Sequence, residues 1–295
     1  MGLDVNGVKM LLTAKSMQVN FEKVVTIGRQ TLYLSEDQLK DNLENFGYHD
    51  IDIPKIYKSN NGYAESLLEI LGGKVIDSLD ASDYEHATIL QDMNAALSDI
   101  HKSKYTCVIE SGTLEHIFNF PVAIKNCMEL LEVGGWYIGL TPANNFFGHG
   151  FYQFSPELYF RIFSENNGFQ VKSIVLYIDD GTTGFYEIKD PNEVHQRVEL
   201  INCYPSYLFV LAQKVSHKNI FEKYPLQSDY ENIHWNKQRP EEKEYIPKSV
   251  KIPSVVKRLI PMFIKKKVRK VINHFDLLDN PIGRSSKDFF KKKQW

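Results

Sequence analysis

The chain has 295 residues, 43% of them apolar and 24% charged, an ordinary globular balance that excludes a disordered or collagen-like chain. No apolar run approaches the ~20 residues that span a bilayer, and the opening MGLDVNGVKM has neither the layout of a signal peptide nor, with Asn6 in sixth place, the pattern for N-myristoylation. The net charge of −2 hides an asymmetry: residues 246–295 carry 14 Lys/Arg against 3 Asp/Glu, and the preceding 245 carry 21 against 34, so a basic arm follows an acidic body.

Taken in chain order, residues 1–22 read as a helical lead-in. From Lys23 onward, short β-branched runs alternate with helical stretches, the signature of βαβ units around a largely parallel sheet. A strand at 23–27 ends at Gly28, and Ser35-Glu-Asp-Gln38 forms a capping box that opens a helix closing near Gly47. A helix at 64–71 stops at Gly72-Gly73 and feeds a strand at 74–78, followed by Asp80; a short strand at 87–90 precedes Asp92. Strand 105–110 leads to a helix at 121–131, a stop at Gly134-Gly135, and strand 136–141. Ser155-Pro156 starts a further helix, and strands at 169–177 and 207–215 form an antiparallel pair. The segment 179–204 between them is too long for a tight turn and reads as a lid or substrate-recognition insertion. Residues 216–245 read as a linker and 246–295 as a basic amphipathic tail. Cys107, Cys127 and Cys203 are widely spaced with no CxxC pair, so neither a disulfide framework nor a zinc knuckle is expected, and a reducing cytoplasm is the expected compartment.

In an open α/β sheet, ligands bind beyond the carboxyl ends of the strands, and the unusual residues sit there: Gly28, Asp80, Asp92, Glu110-Ser111-Gly112 and Asn144-Asn145. An acid after the second strand can bond both ribose hydroxyls, and one after the third can accept from an adenine amino group. Each residue also has an ordinary role, since a strand-end Asp commonly forms a turn or cap.

These residues, with Asp80-Ala-Ser-Asp-Tyr-Glu85, Gln91-Asp-Met-Asn94, Glu110-Ser-Gly-Thr-Leu-Glu-His116, Gly134-Gly135 and Gly148-His-Gly-Phe-Tyr-Gln-Phe-Ser-Pro-Glu157, resemble class I S-adenosylmethionine (SAM)-dependent methyltransferases. Within that family the chain looks like glycan or small-molecule O-methyltransferases, over roughly residues 20–215. The resemblance implies an α/β, Rossmann-like fold: a mostly parallel seven-stranded sheet with helices on both faces, here followed by the basic tail read as helical. It also implies SAM as cofactor and S-adenosylhomocysteine (SAH) as product. The methionine part would lie at Gly28, Arg29 and Gln30, the ribose at Asp80 and Ala81, the adenine at Asp92 and Met93, and the sulfonium near Glu110, Ser111 and Gly112. The first motif departs from the family's: an acid two places before its first glycine and two later glycines are replaced by Thr26, Gln30 and Leu32.

A hydroxyl acceptor must lose a proton, and His149, between two glycines, and His116, beside Glu115, are the candidate bases. Asn144, Asn145, Tyr152 and Gln153 are candidates for holding a polyhydroxylated acceptor, a small molecule or glycan. Glu110, Glu115 and His116 lack any HxxxH-type spacing, so no metal is expected. The stretch 253–272 interleaves apolar pairs with basic clusters around Pro261, and Lys291–Lys293 adds another. This fits peripheral attachment to an anionic membrane surface through 253–293, with docking on the acidic body, a dimer contact or a nucleic-acid arm as alternatives; nothing resembles an RNA-recognition motif. Two other readings of the body are a nicotinamide enzyme and a non-catalytic scaffold. The former wants GxGxxG where the chain has Gly28, Gln30 and Tyr33; the latter is favoured by the missing glycines and opposed by Asp80, Asp92 and the Glu115-His116 pair.

Overall fold

The computed structural model describes residues 2–179, 184–231 and 290–293. In chain order these form β1 (Gly2–Leu3), α1 (Val5–Ser16), β2 (Lys23–Ile27), β3 (Thr31–Leu32), α2 (Glu36–Asn45), α3 (Ile53–Ser59), α4 (Glu65–Ile70), β4 (Val75–Asp80) and β5 (Ile89–Leu90). There follow β6 (Tyr105–Ser111), α5 (Phe120–Leu130), β7 (Leu131–Asn144), α6 (Pro156–Ile162), β8 (Phe169–Ile178), β9 (Gly184–Ile188), α7 (Pro191–Val194), β10 (Ser206–Lys214), α8 (Ser228–Glu231) and β11 (Phe290–Lys292).

The main sheet runs β11-β9-β8-β10-β7-β6-β2-β4-β5, and β1 pairs separately with β3. Strands β5, β4, β2, β6 and β7 are parallel. β10 enters antiparallel between β7 and β8, as the expected closing pair requires. From β2 the chain builds outward to β4 and β5, then returns to lay β6 on the opposite side. That reversal opens a crevice at the carboxyl ends of β2 and β6.

Strand alternation explains why both faces are covered. Val24, Cys107 and Ile109 face a core with α1 to α4. Val25, Ile27 and Val108 face the other core, with α5 and α6. Helix starts follow the local signals: Asp4 accepts from Asn6 N and Gly7 N at α1, and the Ser35/Gln38 box closes reciprocally at α2. Ser155 caps α6 with Pro156 as its first residue.

The last turn of α5 shows where otherwise orphaned helix carbonyls go. The amides of Ser103 and Lys104 donate to Glu129 and Leu130. The buried Lys214 ammonium donates to Met128 O at 3.1 Å and Leu131 O at 2.7 Å. Burial pulls the lysine's pKa down, with Glu129 opposing. We expect Lys214→Met to lower stability by about 1–2 kcal/mol, because two buried carbonyls lose their donor while only part of the cost of burying a charge is recovered. Urea denaturation measures it, and an unchanged midpoint would show that water replaces the ammonium.

Several expectations are corrected. Among the described residues the main sheet has nine strands rather than seven: the 179–204 insertion supplies β9 and a short helix, α7, instead of a free lid, and residues 290–292 of the tail supply the edge strand, β11. Within the stretch read as linker, Ile220 is buried and the Ser228 amide donates to Glu157 Oε1 at 2.8 Å. The tail is not wholly helical: β11 pairs antiparallel with β9, and Lys293 Nζ lies 3.0 Å from Glu187 Oε1. The stretch 253–272, with its expected membrane contact, lies outside the described residues. No helix among the described residues is long and apolar enough to cross a membrane.

Candidate functional site

Two cavities open at the carboxyl edge of the sheet. The first, of about 410 Å³, is lined by Gly28 and Ile27 of the β2 turn, Asp80 and Ala81 at the end of β4, Asp92 and Met93 after β5, and Thr113 and His116 after β6. Gly28 adopts φ 72°, a left-handed conformation that glycine enters without a Cβ penalty, and its amide donates to Leu79 O at 2.7 Å. Gln30, buried, closes the turn where the resembling family has a glycine: its Nε2 donates to Ile27 O and Gly28 O at 2.9 and 3.1 Å. Arg29 points its guanidinium at Glu65 Oε1, 2.6 Å away, and at Glu85 O, and lies 4.0 Å over the Tyr63 ring. Arg29 and Gln30 therefore hold the turn, and neither lines this cavity.

Both acids of the first cavity also make Asx turns. Asp80 Oδ1 accepts from Ser82 N at 3.0 Å; Asp92 Oδ1 accepts from the Asn94 amide and side chain, which draws its pKa down. Each carboxylate keeps its second oxygen outside these turns. Met93 is buried beside them, its carbonyl and sulfur near the Asn126 amide. Two acidic acceptors, an apolar thioether and a glycine turn suit a nucleoside: hydroxyls on the first acid, an amino group on the second, a flat base on the sulfur side.

The second cavity, of about 300 Å³, lies between α1 and the ends of β6, β7, β8 and β10. Its lining includes Asp4, Asn6, Tyr33, Ser111, Gly112, Glu115, His116, His149, Tyr177 and Tyr207. Tyr177 and Tyr207 sit opposite each other across the β8–β10 pair, rings stacked at 5.9 Å. Sequence reasoning missed Asp4, Asn6, Tyr33 and both tyrosines. Ser111 Oγ donates to Gly2 O at 3.0 Å, tying the N-terminal strand across the cavity.

His116 lines both cavities. It ends a 3₁₀ turn, Leu114–His116, that follows β6. Glu110, wholly buried, positions that turn by accepting from Thr113 N at 2.7 Å and Leu114 N at 3.1 Å. Burial first, then repulsion from Glu115, pushes the Glu110 carboxyl up to about 8, against those two donors. Glu115 is also raised by burial. Its Oε1 lies 3.4 Å from His149 Nε2, and its Oε2 is buried without a hydrogen-bond partner among the described residues. The His149 loop seats on the same residue: Phe151 N and Tyr152 N donate to Glu115 O at 2.7 and 3.3 Å. Gly150, at φ 67°, packs where a Cβ would come within 2.7 Å of that oxygen.

The four residues expected to grip the acceptor are placed differently. Asn144 and Asn145 donate to Asn202 Oδ1, and Asn145 also to Tyr204 O. Tyr152 donates to Phe118 O, and Gln153 accepts from Phe146 N. They brace the loop carrying His149 rather than line the second cavity.

No family model and no curated protein matches the chain. Solved structures that it resembles include geranyl diphosphate methyltransferase in complex with SAM (11% identity, 72% of this chain and 85% of that one, TM-score 0.40). Another is a SAM-dependent methyltransferase from Methanosarcina mazei (10%, 68% and 97%, 0.39), and a third is TehB from Haemophilus influenzae (13%, 69% and 61%, 0.36). Similarity at this level assigns neither a family nor an activity, so the functional reading rests on the site itself.

Proposed function

We propose that the chain is a SAM-dependent methyltransferase that methylates a hydroxyl of a small molecule or glycan. The observation carrying this reading is the meeting of the two cavities at His116: one is lined as a nucleoside requires, and the other holds a Glu–His–His cluster at its mouth. When bound, SAM supplies an electrophilic methyl group, whose bond to sulfur breaks as the acceptor oxygen attacks, the electron pair returning to sulfur. The protein's share is mostly placement. Asp80, Asp92 and Met93 would fix the nucleoside, and Gly28 with Ser111–Gly112 would leave backbone room for the amino-acid end. Tyr177 and Tyr207 offer flat apolar faces to the acceptor. Holding two reactants in line can supply the larger part of a methyl transfer's acceleration. His149 takes the hydroxyl proton, Glu115 orients its ring, and the half-exposed imidazole passes the proton to solvent.

The β2 turn speaks against a nicotinamide cofactor. Gln30 fills the turn, β3 intervenes before α2, and the α2 N-terminus is capped by Ser35, which takes the Gln38 amide; a pyrophosphate needs a glycine turn leading straight into a free helix end. Titration calorimetry with SAH, and NAD as control, tests the proposal. Saturable 1:1 binding of SAH alone is expected; no binding would bring the non-catalytic scaffold reading forward.

A further inference from the structure

Along the chain, Glu115 and His116 are adjacent but His149 is 33 positions further on, so spacing offers no metal motif. Folding brings them together. One donor atom from each of the three side chains lies within 4.8 Å of the other two. The rings of His116 and His149 meet edge to face, centroids 4.9 Å apart. Glu115 is 1% exposed, whereas both imidazoles are open to solvent.

The second observation is Glu115 Oε2, a buried carboxylate oxygen with no hydrogen-bond partner among the described residues. A buried carboxylate needs a counter-charge, a donor or a proton. The other oxygen of Glu115 lies 3.4 Å from His149 Nε2, a long contact, and the residue's own amide and that imidazole only partly offset the burial that raises the carboxyl's pKa. Among the described residues, no lysine or arginine lines either cavity. An oxygen in this position, beside two imidazoles on separate loops that share one backbone anchor, has the surroundings of a ligand rather than of a structural ion pair.

We propose that Glu115, His116 and His149 bind a divalent transition-metal ion at the junction of the two cavities. Two imidazoles and one carboxylate favour zinc, manganese, iron or cobalt over calcium or magnesium, which prefer all-oxygen shells. Donors sharing an ion at ~2.0–2.2 Å lie closer together than the 4.8 Å spread found here, so the two exposed rings must rotate inward by roughly an ångström for the ion to bind. Three protein ligands leave coordination positions facing the second cavity. Its purpose, though not the site, rests on the methyltransferase reading: the ion would hold the acceptor hydroxyl. The bound hydroxyl would then lose its proton to water through the open mouth, and its oxygen would take the methyl group as the S–CH₃ bond of the sulfonium breaks and sulfur keeps the electron pair. The ion changes no oxidation state; with the ion bound His149 would serve as its ligand, and in the ion-free protein as the base.

The test is a titration of the full chain, stripped with chelator and free of SAM, with Co²⁺, followed by visible absorption. One saturable site per chain is expected, with bands typical of mixed nitrogen and oxygen ligation. It should weaken by more than ~10- to 100-fold, the usual cost of losing even an outer-sphere partner, in each of Glu115→Gln, His116→Gln and His149→Gln. The control His86→Gln, at an exposed histidine far along the chain from the cluster, should leave it unchanged. Circular dichroism confirms that the variants fold. Absence of the site, or a site insensitive to His116→Gln and His149→Gln, overturns the proposal. SAH binding without Co²⁺ binding sinks the metal site and leaves the methyltransferase; Co²⁺ binding without SAH binding does the reverse.

Discussion

Replacing His149 by Gln is expected to lower turnover by about 10²- to 10⁴-fold, the range that a positioned base contributes, while the affinity for SAH stays nearly unchanged. The split follows from where the side chain sits. His149 lines the second cavity and not the nucleoside cavity, so its loss removes nothing that would touch adenine or ribose. The loop itself survives the change, because its anchors are elsewhere: Phe151 N and Tyr152 N on Glu115 O, Phe146 N on Gln153, and Asn145 on Tyr204 O. Glutamine can still donate toward Glu115 but cannot accept and release a proton near neutrality. Steady-state rates on an acceptor found by screening sugars, with calorimetry on the same variant, measure both halves. Undiminished turnover would remove His149 from the chemistry, whether as base or as metal ligand.

How much of this was legible beforehand depended on the range of the interaction. Gly28, Asp80 and Asp92 stood out because a strand end is visible in sequence and the sheet's topology brings successive strand ends to one edge. The capping box at Ser35 is equally local, whereas the expected stop at Gly134-Gly135 misplaces the boundary: α5 ends at Leu130 and both glycines lie within β7. Tyr177 and Tyr207 were hidden, because each is one aromatic in a strand pattern until the β8–β10 register puts them face to face. Asp4 and Tyr33 were hidden for a related reason: β1 and β3 are two-residue strands that pair with each other and leave no periodicity to read. Asn144 and Asn145 show the converse limit. An amide in a loop reads as a hydrogen-bonding group free for a ligand, and only the fold reveals Asn202 waiting for it. Glu115, His116 and His149 were each visible as chemistry, yet their convergence depends on Gly150 allowing the loop to lie against Glu115 O, a contact 35 residues long in sequence.

Asp80→Ala is expected to weaken SAH binding by roughly 30- to 1,000-fold. A charge-assisted hydrogen bond contributes about 1.5–3 kcal/mol, and a carboxylate gripping both ribose hydroxyls makes two of them. Some of that is recovered by water in an open cleft, which leaves about 2–4 kcal/mol, at 1.4 kcal/mol per tenfold. The fold should tolerate the change. Among the described residues the Asp80 carboxylate bonds only Ser82, in an Asx turn, while the backbone of β4 keeps its pairing with β2 and β5. Asp80→Asn should fall between the two, since its amide retains one acceptor and brings a donor where the ribose also donates. Asp92→Ala, which removes a solvent-exposed acceptor for one amino group, should cost less than Asp80→Ala. That ordering is what separates a nucleoside site from a generic acidic cleft: a cleft binding only through net charge would lose equally at either position. Wild-type affinity in Asp80→Ala would mean that no ribose lies at the end of β4, and the assignment of the first cavity to SAM would fall with it.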